Sequence, residues 1–205
     1  FVGSDAIALA PLTDRITWIG ISGPAQQDIP VTFGQVFRPG DVPAGALLGA
    51  DVPIQVDPKA YHADGSLRHA VITVLTDVPA TVSLELGGTS DTTPLSLPDD
   101  YDTTIELFID GVRWTASAAA LLAEDSSDVW LSGPLATEWI VSGPFRDGRG
   151  DAHPHLNARF NIRSHGVLVR TDAIVENTWT YVPDPQGYTY DAMIRSGSTI
   201  AYQHE

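Results

Sequence analysis

The feature that most limits how this chain can fold is its punctuation. Short runs rich in Val, Ile, Thr and aromatics are cut by Gly, Pro or Asp-Gly about every eight to twelve residues. Arg15–Ile21 and Thr81–Leu86 alternate apolar with polar residues, and Ala70–Leu75 is a near-continuous apolar run of strand length. Thr104–Ile109 leads into Asp110-Gly111 and returns as Val112–Trp114, the strongest short hairpin signal in the chain. Trp139–Val141, Leu156–Arg163 and Val167–Val175 continue the pattern. One stretch departs from it: Ser117–Glu124 consists of strong helix formers, with Thr115 or Ser117 as the cap, and predicts one short helix near 115–124. The expectation is an all-β chain, a sandwich or a barrel. Pro94, Pro98, Asp99 and Asp100 interrupt the strands near Leu95–Asp102 and suggest domains at 1–95 and 96–205, the second reading as unfinished.

Charge narrows the partners. The chain carries 26 acidic residues against 11 basic ones, a formal net charge of −15. Such a field repels phosphate backbones, so nucleic acid is not an expected partner. No apolar run approaches the roughly 20 residues of a membrane helix, so membrane insertion is not expected. The acidity suits solubility in an extracellular setting, and a compositional bias toward Asp accounts for it equally well. With no cysteine, disulfides, thiolate metal sites and cysteine nucleophiles are excluded. The chain begins at Phe1 and closes on Tyr202-Gln203-His204-Glu205 without a terminating motif, and reads as a segment of something longer or a processed product.

Four groups of residues invite a functional reading. In Tyr61–His69, the residues His62, Asp64, Arg68 and His69 compose an acid–base cluster. Alternatively Asp64, Gly65 and Ser66 form a tight structural turn between strands, the preferred reading. In Arg146–His155, the residues His153 and His155, with Asp151 or Asp147, offer nitrogen and oxygen ligands to zinc or another divalent metal, although the sequence places no third ligand beside the two histidines. Arg149-Gly150-Asp151 also spells an integrin-type tripeptide. Trp179, Tyr181, Tyr188 and Tyr190 could stack on sugar faces, or simply fill a sheet core. Finally, Asn157, Arg159, Asn161 and Arg163 alternate along one strand and share one face, where Arg159 and Arg163 would meet an acidic sugar. No GxSxG elbow, phosphate loop, dinucleotide fingerprint or HExxH is present, and no catalytic residue or cofactor is assigned.

Three spaced motifs carry a resemblance. Pro30–Gly40 (PVTFGQVFRPG), Val52–Asp57 (VPIQVD) and Asp64–Ala70 (DGSLRHA) together resemble the opening domain of exo-rhamnogalacturonan-lyase-like proteins. The likeness covers roughly residues 15–90, with His62 and His69 standing where that family commonly has Trp. It implies a small barrel of the RIFT type that is accessory, not catalytic, so that the expected fold is a RIFT-like barrel followed by a β-sandwich-like segment; related frames occur in phage and gene-transfer-agent-like virion proteins. The resulting expectation is a structural or receptor- and glycan-binding module of a larger extracellular or virion protein, such as a tail, fibre or spike. Its partners would be other protein chains and polysaccharide. The alternative is a fragment of a carbohydrate-active enzyme, a polysaccharide lyase or hydrolase, whose active site falls mostly outside this stretch.

Overall fold

The computed structural model describes residues 15–89, 91–124, 127–177 and 187–204. The chain divides into two compact units, Phe1–Thr92 and Thr93–Glu205. Each has its own sheet, so the protein is all-β. Among the described residues no helix is long and apolar enough to cross a membrane.

The first unit is organised around one long strand. It contains β1 (Arg15–Val36), β2 (Leu48–Ala50), β3 (Ile54–Tyr61) and β4 (Leu67–Leu86). β4 pairs antiparallel with β1 along one side, from Arg15 opposite Glu85 to Val36 opposite His69. Its other side holds β3 (Ile54 opposite Val74) and β2 (Leu48 opposite Leu86). Both long strands are broken in register between Ile21 and Ile29, where Asp28 adopts φ 50° and its N–H donates to Asp77 Oδ1 at 3.0 Å. Bulges of this kind bend a strand and increase its twist, which curls the sheet into a half-barrel. Inside the curl lie Phe37, Val42, Leu48, Leu67, Ile72, Val74, Val82 and Leu84, all buried. Two expected strands, Ala70–Leu75 and Thr81–Leu86, are thus halves of one. Pro79 did not end it because it falls in the register shift, between Val78 opposite Gln26 and Ala80 opposite Ile21, where no ladder donor is required.

The second unit runs β5 (Thr103–Ile109), β6 (Val112–Ser117), α1 (Ala118–Ala123), β7 (Asp128–Leu131), β8 (Thr137–Arg146), β9 (Ala152–Ser164), β10 (Val169–Asn177), β11 (Asp191–Ser196) and β12 (Thr199–His204). The sheet order is β10-β9-β8-β6-β5-β11-β12, with β7 also on β8. β6 and β8 meet only at Thr115 opposite Arg146, so the sheet can fold there. The Tyr101 and Thr103 hydroxyls bond Thr171 on β10, at 2.9 and 3.4 Å, bringing the two halves together as a sandwich. Between them Ile105, Leu107, Val141, Phe145, Phe160 and Ile162 are almost wholly buried. The β5–β6 turn is Asp110-Gly111 with φ 50° and 80°, the left-handed pair that a two-residue hairpin demands. The helix is one and a half turns long. Ser117 Oγ accepts from Ala120 N–H at 3.0 Å and donates to Asp102, whose carboxylate also accepts from Ala119 N–H at 3.1 Å.

Candidate functional site

In the first unit the motif residues fasten backbone. Asp64 Oδ1 accepts from Ser66 N–H at 3.0 Å and from the Ser66 hydroxyl at 2.6 Å, while Gly65 takes φ 82°. Ser66 Oγ in turn accepts from Gly40 N–H at 3.0 Å, tying the turn to the loop after β1. These bonds hold the Asp64 carboxyl below the ordinary carboxylate range, the Ser66 hydroxyl being the main cause. His62 does not complete a serine–histidine–aspartate relay: its Nε2 lies 3.0 Å from the Phe37 carbonyl. The other motifs behave alike. Thr32 and Thr73 hydroxyls pair at 2.9 Å across β1 and β4, and the buried Gln55 amide donates to Asp57 at 2.7 Å.

In the second unit the stretch from Arg146 to Leu156 contains a closed loop and a bulge. Asp147 Oδ1 accepts from the N–H groups of Arg149 (2.9 Å) and Asp151 (3.0 Å), and Gly150 sits at φ 91°. These main-chain bonds, that to Arg149 first, lower the pKa of Asp147. Arg149 folds back on Asp147 (3.1 Å) and Asp151 (3.6 Å), so the two charges of the Arg-Gly-Asp tripeptide lie side by side, both largely exposed. Beyond it the ladder slips: Arg146 faces Ala152, whereas Pro144 faces Asn157. His153 closes the resulting bulge, its Nδ1 accepting from His155 N–H at 3.1 Å and Leu156 N–H at 3.0 Å.

The structure does not group His153, His155 and Asp151, the three expected metal ligands, around one point. The buried ring of His153 is turned onto its own backbone through Nδ1, and the Asp151 side chain is 72% exposed against Arg149. Among the described residues no three His, Asp or Glu side chains are grouped to hold a metal ion. The structure instead brings together rings. His153 packs edge-on against Trp114 (centroids 4.7 Å) and Tyr188 (4.9 Å), and His155 lies 5.8 Å from Tyr188. Burial is the main cause that depresses the His153 pKa, with His155 adding to it. His155 is 2% exposed, and its Nδ1 has no hydrogen-bond partner among the described residues.

Of the four aromatic candidates, Tyr188 and Tyr190, in the segment that leads into β11, pack partly buried against the second core. Trp179 and Tyr181 lie outside the described residues. The alternating row on β9 is real: Asn157, Arg159, Asn161 and Arg163 are half-buried on one face, while Ala158, Phe160 and Ile162 are buried on the other. Its arginines are engaged. Arg163 Nε donates to Glu138 at 2.6 Å, and Arg159 lies 3.9 Å from Glu176 and 3.3 Å from Asn161. An acidic sugar would have to compete with carboxylates already in place.

Sequence reasoning did not find the cavity. It is a half-open hollow of about 240 Å³ lined by Phe108, Asp191, Ala192, Met193, Gln203 and His204. Strand register assembles it, placing Asp191 opposite Phe108 and Gln203 opposite Met193. Beside it on the same sheet, Glu106 accepts from Arg195 at 3.1 Å and lies 3.6 Å from Arg113, so both guanidiniums are held. Comparison with protein-family models, with curated proteins and with solved structures gives no match.

Proposed function

We infer that this chain is a non-catalytic β module of a larger extracellular or virion protein, and that it holds partner chains through open sheet edges. The observation that carries this reading is β1. It is 22 residues long, and among the described residues it pairs with β4 alone. Only Arg15 and Asp28 are charged along it, in a chain with a net charge of −15. Natural edge strands are kept short or studded with charge because an open row of N–H and C=O groups is a template for another strand. Pro24 and Pro30 protect the middle of β1, leaving the stretches on either side of the bend available. The likeness of Pro30–Gly40, Val52–Asp57 and Asp64–Ala70 to an accessory barrel supports the same reading, since here those residues fasten turns and strands.

This chain has no cysteine of its own, and Ser22→Cys places a thiol handle on exposed β1. In the full-length protein within its native assembly, a short thiol-directed cross-linker at that position should join a neighbouring chain. A cysteine at exposed Asp99 serves as the control. Cross-linking no better at Ser22→Cys than at Asp99→Cys overturns the reading. Turnover of a uronic-acid polysaccharide by the chain would favour the lyase or hydrolase fragment instead. Contact with glycan is a second reading, favoured by the half-buried polar row on β9. An oligosaccharide array, with Asn157→Ala and Asn161→Ala as controls, tests it.

A further inference from the structure

We propose that the outer edge of β12, with the cavity at its end, docks an extended lysine- or arginine-bearing segment of a partner protein by strand addition. This rests on the partner-holding reading above but uses a different strand in the other unit.

The two edges of the second sheet differ. β10 carries Arg170, Asp172 and Glu176 on its outward face, with Arg170 and Asp172 paired at 3.0 Å, the guarded kind of edge. β12 has no such guard. Thr199–His204 contains no proline, lysine, arginine or carboxylate, all six residues are exposed, and Ile200 and Tyr202 stand about half open to solvent. Among the described residues its ladder partner is β11 alone. A strand added here would gain main-chain hydrogen bonds without displacing anything described.

The cavity supplies the side-chain preference. Gln203 faces it from β12, Met193 and Asp191 from β11, and Phe108 from β5. Adjacent strands lie about 4.8 Å apart, so a side chain entering from an added strand must reach over β12. Lysine and arginine have that reach. Their aliphatic stems suit Phe108 and Met193, and their charged ends suit the Asp191 carboxylate. The guanidiniums of Arg113 and Arg195 on the same sheet are each engaged with Glu106. The net charge of −15 draws a basic segment in and turns an acidic one away.

The test is fluorescence anisotropy of the whole chain with a labelled octapeptide alternating lysine and valine. Binding should be about tenfold weaker when glutamate replaces lysine. N-methylation of alternate peptide nitrogens should weaken it by about the same factor, because it removes the ladder. Asp191→Asn, a change at an exposed side chain, should cost about threefold or more. Hydrogen exchange over 199–204 should slow when the lysine peptide is added. Absence of binding, or binding indifferent to N-methylation or to Asp191→Asn, overturns the proposal. Gly20→Lys on β1 should leave peptide binding unchanged. Loss of the Ser22→Cys cross-link with peptide binding retained therefore sinks the β1 reading alone, and the converse sinks this one alone.

Discussion

The turn between β3 and β4 and the bulge that opens β9 solve the same problem with different side chains. Each must satisfy main-chain N–H groups that a tight reversal strips of ladder partners. At the first, the exposed Asp64 carboxylate caps Ser66; at the second, the imidazole of His153, 7% exposed, caps His155 and Leu156. The difference lies in solvent. The Asp64 carboxylate is itself exposed although the Ser66 it caps is buried, whereas the ring of His153 is packed between Trp114 and Tyr188. Residues that look alike as candidate chemistry in a sequence therefore carry unequal structural weight.

His153→Ala should give the largest effect. It leaves two amides without their acceptor at about 1–3 kcal/mol each, so urea denaturation should show a loss of about 2–6 kcal/mol. His153→Asn, whose carbonyl can accept the same bonds, should recover most of it; equal losses for the two variants would refute the capping role. Next comes pH. The folded-state pKa of His153 is lowered below 6.5, so as pH falls the unfolded chain takes up the proton first. The His153 contribution should be constant above about pH 6.5 and decline as pH falls from there toward the lowered folded value. His153→Asn should flatten that limb when stability is followed by circular dichroism.

Ser66→Ala should cost less, about 1 kcal/mol, because one hydroxyl that bridges Asp64 and Gly40 is removed from the turn. The smallest effect is expected of Asp64→Asn. The Asp64 pKa is lowered below 3.8, so its contribution is present above that value and lost as pH falls through the lowered one. The substitution should therefore lower the plateau near neutrality slightly and flatten the acid limb of the pH–stability curve, the variant and the unsubstituted chain converging at low pH. A change for Asp64→Asn near neutrality as large as that for His153→Ala would erase the distinction between the two caps.

Much of the local architecture was legible. Thr103, Ile105, Leu107 and Ile109 are buried on one face of β5, the period the residues spell out, and Asp110-Gly111 makes the turn. The β9 row from Asn157 to Arg163 lies on one face for the same reason. Strand length was not legible. β1 runs on through Pro24 and Pro30 and β4 through Pro79, because an edge and a bulge accommodate a residue without an N–H. The candidate site was legible only in part. His153, Pro154 and His155 look like spaced ligands, but a slip in the β8–β9 register turns the first ring onto its own main chain. The cavity at Asp191 joins residues from β5, β11 and β12, and no local pattern marks it.

Side-chain alternation, turn chemistry, the short helix and the acidic charge follow from residues close together in the chain, and those the amino-acid order determined by itself. Which strands become neighbours, which edges stay open and which arginine finds which carboxylate were decided by tertiary structure. Arg195 meets Glu106 from 89 residues away. Backbone periodicity is a property of consecutive residues, whereas an edge or a cavity exists only once distant strands have chosen their partners.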